Sequence, residues 1–131
     1  MAWKFEIDPE QRILRSTFEG KVVFDDLLAH QRMGALLVQS LDPRGALIDL
    51  SGADPFDVTP DAIRRLAKMP PAMPQRERPR VVVAPSDHQF GMARIFQIEG
   101  RATRPNLSVV RTVEDAWAIL GLDEAHFRRI S

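Results

Sequence analysis

The chain has 131 residues, a length typical of one domain, with 44% hydrophobic and 27% charged residues, as in proteins that fold around a core of their own. It has no cysteine, which excludes disulfides, thiolate metal sites and cysteine nucleophiles. Its 18 basic and 18 acidic residues give a formal net charge of zero, which argues against a general nucleic-acid binder. We expect residues 1–131 to form a single domain.

The N-terminus alternates polar and apolar residues from Trp3 to Asp8, unlike the basic start and apolar run of a signal peptide. No stretch approaches the roughly 20 apolar residues that cross a membrane. We therefore expect a cytoplasmic protein without a membrane span. Acidic residues predominate up to residue 61 and arginines after it, which permits a homodimer.

The first fifty residues predict a hairpin, a helix and a buried strand. Alternation in residues 3–8 resumes in residues 14–18, which indicates two paired strands. Apolar residues then recur at helical spacing from Phe24 to Leu41, with acidic residues near the start, where they favour a helix. The apolar run 46–48 predicts a strand buried on both faces, which we expect to end at residues 49–52.

Three residues predict the starts of the later helices. Thr59 precedes a proline at the first helical position, Ser86 has a glutamine at capping-box spacing, and Thr112 precedes Val113 and two acidic residues. Gly100 and Gly121 are expected to end the last two of these helices.

The connecting segments complete the predicted order of elements. Residues 81–84 and 107–110 are expected to be strands, and four prolines between Met69 and Pro79 exclude regular structure there. Residues 123–130 can add one short final helix. The order β-β-α-β-α-β-α-β-α predicts an α/β fold with a single mixed, largely parallel sheet of four to five strands and about four helices.

Polar residues follow the predicted strands at the edge where helices begin. In open α/β sheets ligands gather beyond the carboxyl ends of the strands, and helix N-termini there attract phosphate or carboxylate groups. The hydroxyl groups have an alternative role as helix caps, which stabilise a helix without binding a ligand. The residues at this edge are Asp49, Ser51, Thr59, Ser86, Asp87, Arg111 and Thr112.

Phe90, Gly91 and Arg94 extend this candidate site along the third predicted helix. A glycine inside a helix costs about 1 kcal/mol relative to alanine, so a compensating role is expected for Gly91. Close packing on a strand or on Trp117 is one explanation, and room for a ligand or for a partner's backbone is the other. Arg94 can bind an anion or pair with an acidic neighbour.

The sequence shows no catalytic constellation and predicts no enzyme. His30, His88 and His126 lack metal-ligand spacing and are expected at the surface, so we predict neither a metal nor another cofactor. An enzyme without a recognisable motif, using Asp49 or Asp87 as a general base, is retained as an alternative. A second alternative is a lipid or fatty-acid carrier with a pocket between the first and third helices, lined by Leu28, Met33, Leu36, Met92, Ile95 and Phe96.

Five runs of the sequence carry a family resemblance, namely residues 20–22, 47–52, 82–85, 90–94 and 113–121. The run 47–52, followed by Asp57-Val58-Thr59, resembles the STAS domains of anti-sigma-factor antagonists. The whole chain resembles the bacterial SpoIIAA-like proteins of the STAS/SEC14 type.

This resemblance implies a non-catalytic α/β module, often dimeric, that binds a protein partner or a small anionic or apolar ligand. It also implies phosphorylation at Thr59. The antagonists have consecutive serines where this chain has Val58-Thr59-Pro60, however, and a capping role occupies the Thr59 hydroxyl, so phosphorylation there is doubtful. Val23 likewise replaces the small polar residue that usually precedes the first helix.

Overall fold

A mixed six-stranded sheet with four helices forms the part of the chain that the computed structural model describes, residues 2–130. The strands are β1 (Trp3–Asp8), β2 (Ile13–Val22), β3 (Gly45–Phe56), β4 (Arg80–Val83), β5 (Leu107–Val110) and β6 (Arg128–Arg129). The helices are α1 (Phe24–Leu41), α2 (Pro60–Lys68), α3 (Asp87–Glu99) and α4 (Val113–Leu120).

The strand order across the sheet is β5-β4-β3-β2-β1-β6. Strands β2 to β5 run parallel to one another, and β1 pairs antiparallel with both β2 and β6. The α/β class, the opening hairpin and the largely parallel arrangement are therefore confirmed. The sheet has one strand more than the expected maximum, because β6 extends it at one edge. No helix between residues 2 and 130 has the length and hydrophobicity needed to traverse a membrane.

Alternate residues of the central strands face different helices. Val81 and Val83 lie in a buried cluster with Ala116 and Leu120 of α4, whereas Val82 belongs to the larger cluster that includes residues of α1, α2 and α3. This period of two follows from strand geometry and explains why residues 81–83 of β4 are all apolar. The sheet thus has α4 on one face and the other three helices on the opposite face.

The predicted helix starts are confirmed in atomic detail. The side-chain oxygens of Thr59, Ser86 and Thr112 each accept a hydrogen bond from the backbone N–H three residues later, at 3.1–3.2 Å. Val23 offers no such oxygen, and the Asp26 carboxylate instead accepts from the Val23 N–H at 2.8 Å. The first helix therefore begins where expected despite its apolar cap position.

Strand β3 is much longer than the sequence predicts. Residues 49–52, expected to end it, lie within it, and β3 continues to Phe56. Beyond the end of β4 its extension still pairs with β2, with Gly52 opposite Glu19 and Phe56 opposite Val22. The Gln89 side chain also holds this extension, donating hydrogen bonds to the backbone oxygens of Leu50 and Ala53 at 3.0 and 2.7 Å.

The short final helix predicted for residues 123–130 is wrong. This segment returns along the sheet, and its residues Arg128 and Arg129 pair with β1 as strand β6. The buried Asp8 carboxylate directs it by accepting a hydrogen bond from the His126 N–H at 3.0 Å. That long-range contact takes precedence over local helical spacing.

The proline-containing segment 69–79 has no helix or strand, as predicted, yet it is part of the core. Met73 is buried, and the Gln31 side chain of α1 donates a hydrogen bond to the Pro70 carbonyl at 2.7 Å. Ala72 lies beside Gly34, which brings this segment against α1. The segment therefore closes one end of the space between α1 and the helices α2 and α3.

Candidate functional site

The predicted edge site divides into separate local groups. The hydroxyls of Thr59 and Ser86 cap their own helices. The Asp49 carboxylate accepts hydrogen bonds from the Ser51 N–H at 2.9 Å and from its hydroxyl at 2.6 Å, all within β3. Each polar group is thus satisfied by its own element, as expected for local structural roles.

Asp87 and Phe90 are linked through an arginine from the following strand end. Arg111 forms an ion pair with Asp87 at 2.7 Å, and its guanidinium lies 4.2 Å from the centre of the Phe90 ring. The Asp87 side chain is 96% exposed, so this pair lies in solvent, where ion pairs contribute little to stability. The sequence placed these three residues at one edge, and the structure brings them into contact.

Gly91 and Arg94 lie on the exposed side of α3. A Cβ atom at Gly91 would have no neighbour within 4 Å, so the explanation by close packing on a strand or on Trp117 is wrong. Trp117 is a residue of α4 and lies on the opposite face of the sheet. Arg94 donates a hydrogen bond to the Gln97 side chain on its own helix.

An apolar space lies elsewhere, between α1 and the helices α2 and α3, above the sheet. We call it the inter-helix cleft. It holds two cavities of about 80 Å³ each, and four residues line both of them, so the two cavities lie on either side of this group. The shared residues are His30, Gln31, Ile48 and Phe96.

The carboxyl-end cavity lies toward the carboxyl ends of the parallel strands. Its floor comes from β2, β3 and β4, and its walls come from the three helices on this face of the sheet. Almost all of the exposed wall is apolar. Besides the shared residues, its lining includes Phe18, Leu50, Leu66, Val82, Met92 and Ala93.

The amino-end cavity lies toward the other end of the same strands, and its exposed wall is likewise almost entirely apolar. Its floor is also apolar, and the segment 69–79 contributes Ala72 and Met73. Four polar side chains besides Gln31 line it, namely Ser16, His30, Arg80 and Arg104.

His30 was expected at the surface, and that prediction is wrong for this histidine. Its ring stacks on Phe5 at a centroid distance of 4.9 Å and lies 4.8 Å from the Phe18 ring. Its Nε2 is 2.8 Å from the hydroxyl oxygen of the buried Ser16. Burial lowers the pKa of His30 to about 4, so the ring is neutral at neutral pH.

Arg80 begins β4 and is only 6% exposed. Its guanidinium donates to the backbone oxygens of Met73, Gln75 and Arg78, with the two shortest bonds at 2.6 and 2.8 Å. Burial lowers its pKa, and the charge of Glu77 acts in the opposite direction. These hydrogen bonds fix the proline-containing segment onto the start of β4.

Arg104 comes from the loop between α3 and β5 and is 4% exposed. It donates to the backbone oxygens of Ala67 and Met69 at the end of α2, at 2.8 and 3.1 Å, where a helix attracts positive charge. Its guanidinium also lies 4.8 Å from the centre of the Phe96 ring. Burial, together with the positive charge of Arg80, lowers the pKa of Arg104 to about 10.

The structure only partly matches the lining predicted for a carrier pocket. Met92 and Phe96 do line the cleft. Leu36 does not, because its side chain points away and is 60% exposed. Leu28, Met33 and Ile95 are partly buried against the core beside the cleft, without lining either cavity.

The cleft lacks the parts of a hydrolytic site. Ser16 and His30 have the spacing of a nucleophile and its base, but no carboxylate within residues 2–130 contacts the other ring nitrogen of His30. The lowered pKa of His30 also makes it a weak base at neutral pH. In the same part of the chain, no group of three or more His, Asp or Glu side chains is placed to hold a metal ion.

No known family model matches the chain, and neither curated proteins nor solved structures give a significant match. The resemblance to SpoIIAA-like proteins therefore stays a prediction. The candidate site rests on the geometry of the chain itself.

Proposed function

We propose that this chain is a non-catalytic binding module that holds a small apolar or amphipathic ligand in the inter-helix cleft. The observation that supports it is the pair of apolar cavities that meet at His30 and Phe96. Ligand sites in proteins are typically concave and apolar, with a few placed polar groups. This is the lipid or fatty-acid carrier hypothesis, with a lining that differs from the one the sequence predicted.

The shape of the cleft favours a chain-like ligand. The floor runs along β3 from Ala46 in the amino-end cavity to Leu50 in the carboxyl-end cavity, which is roughly 13 Å at the usual rise per residue. Each cavity is smaller than an engineered core cavity of about 150 Å³ that binds benzene. A narrow chain therefore fits better than a ring system, and a bulky ligand needs α1 to move outward.

The wall of the cleft is suited to adjusting around such a chain. Met92 contributes a flexible, polarizable side chain, and such residues fill irregular apolar space. Helix α1 buries only Leu27, Gly34 and Val38 among its 18 residues. It nevertheless covers the buried rings of Phe5 and Phe18 through His30, so its outward movement would expose core surface and is required only for a bulky ligand.

A matched pair of variants tests this proposal. Ala93 lines the carboxyl-end cavity, and Ala29 is exposed on α1, so Ala93→Met fills the cleft whereas Ala29→Met adds the same atoms at the surface. We expect isothermal titration with 1-decanol and with decanoate to show binding to the wild type and to Ala29→Met. Ala93→Met should bind at least about tenfold more weakly, the effect of about 1.4 kcal/mol.

Two further results bear on the same proposal. Native mass spectrometry of protein purified from its own host should show an added mass that denaturation removes. If neither decanoate nor 1-decanol binds the wild type, or if Ala93→Met binds both as tightly as the wild type does, the cleft is not the ligand site.

A second candidate function is self-association through the exposed face of α3. Gly91 has open space above it and Ile98, seven residues later on the same face, is 47% exposed. A glycine allows the close approach of another backbone. Sedimentation equilibrium should show a dimer that Gly91→Gln weakens, and a monomer at all concentrations would exclude this candidate.

A further inference from the structure

Two arginine side chains are buried at the amino-end cavity without an acidic partner. Arg80 and Arg104 are 6% and 4% exposed, and within residues 2–130 no carboxylate oxygen lies within 4.0 Å of either guanidinium. Buried charges in proteins are normally paired, because removing an ion from water is costly. The folded chain compensates the positive charges of these two arginines only in part.

The backbone oxygens around the two arginines provide this partial compensation. They carry partial negative charges, including those at the end of α2, but no full charge. The positive charges of Arg80 and Arg104 also act on each other, and the charge of Glu77 offsets this only at Arg80. The amino-end cavity is consequently a site of uncompensated positive charge beside apolar walls.

Both guanidinium groups have N–H groups that donate to no protein oxygen of the described chain. An arginine has five N–H groups. Within the described chain, Arg80 donates four N–H groups to protein oxygens and Arg104 donates three. The donors that stay unused include the Nε–H of Arg104. Three donors are enough for the two oxygens of one carboxylate, and a cavity of about 80 Å³ fits this planar group better than the larger tetrahedral phosphate monoester.

We propose that the cleft binds an unbranched carboxylic acid, with its carboxylate at Arg80 and Arg104 and its chain along Phe96 and Ile48 toward the carboxyl-end cavity. This deepens the proposed function and rests on it, since it names the chemical class of the ligand. The head group supplies the missing negative charge, and the chain occupies the apolar space. The neutral ring of His30 lies between the two cavities, where it adds no charge to the path of the chain.

The wild-type protein alone tests the head group. We expect isothermal titration at neutral pH to give a dissociation constant for decanoate at least about tenfold lower than that for 1-decanol, because a charge-assisted hydrogen bond contributes more than a neutral one. Decanoate should also bind more tightly than decyl phosphate. This comparison needs no variant and so does not depend on how well a substituted protein folds.

Charge-removing variants locate the head group. Arg104→Gln and Arg80→Gln should each reduce the ratio of decanoate affinity to 1-decanol affinity by about tenfold. Arg101→Gln is the matched control, since Arg101 is an exposed arginine of the same loop. Circular dichroism of each variant identifies any that does not fold, and the wild-type comparison then decides alone.

The outcomes separate this inference from the proposed function. If decanoate and 1-decanol bind with equal affinity, or if Arg101→Gln reduces the preference as much as Arg104→Gln does, the head-group assignment is overturned and the apolar cleft stands. Tighter binding of decyl phosphate overturns the assignment to a carboxylate. If none of the three probes binds, the cleft itself is not a binding site.

Discussion

His30 shows how burial alone sets the charge of a residue. Three aromatic rings surround it, those of Trp3, Phe5 and Phe18, and Ser16 is its hydrogen-bonding partner. Neutral imidazole is compatible with this apolar environment, whereas imidazolium would lose its hydration without gaining an opposite charge. The residue therefore links the stability of the fold to pH.

Protein stability should decrease as the pH falls from about 6.5 to about 4. In that window the unfolded chain, with an ordinary histidine pKa of 6.5, binds a proton that folded His30, with a pKa of about 4, does not bind. The loss amounts to roughly 3 kcal/mol at most and ends below pH 4, where both states are protonated. Urea denaturation at several pH values measures it.

The control for this prediction is the exposed His126. His30→Gln removes the titrating group and should abolish most of the loss of stability in this pH window, although the variant starts from a lower stability at pH 7. His126→Gln should leave the slope unchanged. An unchanged slope in His30→Gln would show that another group dominates the pH dependence.

Gly91 lowers the stability of α3, and no packing contact within the described chain explains why a glycine stands there. A Cβ atom there meets nothing within 4 Å, and the position is in the middle of α3. Gly91→Ala should therefore raise the free energy of unfolding by about 0.5–1 kcal/mol. Urea denaturation checks the increase, and a decrease would mean that the helix needs glycine for a reason other than space.

Among the elements, the long strand β3 shows what local sequence signals leave out. Its first residues were predicted as a strand because they are apolar and uninterrupted. Asp49, Ser51 and Gly52 resemble a turn, and their strand conformation depends instead on β2 alongside and on Gln89 above. Such pairing partners are distant in sequence, so the residues themselves carry no signal of the extension.

The extension of β3 requires glycine at position 52. A Cβ atom there would lie 2.9 Å from the Phe18 backbone oxygen, closer than such contacts occur, and a backbone atom cannot rotate away. Gly52→Ala should therefore lower the free energy of unfolding by roughly 1–3 kcal/mol. The same substitution at Gly91 is its control, with a shift in the opposite direction. Equal effects of the two substitutions would contradict both spatial arguments.

At the scale of the whole molecule, the sequence predicted elements and caps well. It predicted a candidate site at the carboxyl ends of the strands, whereas the two buried arginines of the cleft lie toward the amino ends. Caps and turns depend on residues within about four positions of each other, as at Thr59 and Ser86. The cleft depends on α1, α3 and the segment 69–79 meeting in space. The sequence gives little sign of the two buried arginines. Arg80 stands before the apolar residues of β4 and Arg104 before a proline, and both resemble ordinary surface arginines in sequence.

The cleft also predicts an uneven response of the molecule to its ligand. Helix α1 covers the cavities and buries three residues, whereas α4 packs on the opposite face of the sheet. Amide hydrogen exchange of α1 should therefore reflect local opening at a lower free energy than that of the central strands. At decanoate concentrations above the dissociation constant, the exchange rate of α1 amides should fall in proportion to the decanoate concentration, because the ligand binds only the closed cleft.

Exchange in α4 is the internal control. If α1 and α4 are slowed equally, opening is global and the cleft does not open by movement of α1; if α1 is unaffected, the ligand does not lie beneath it.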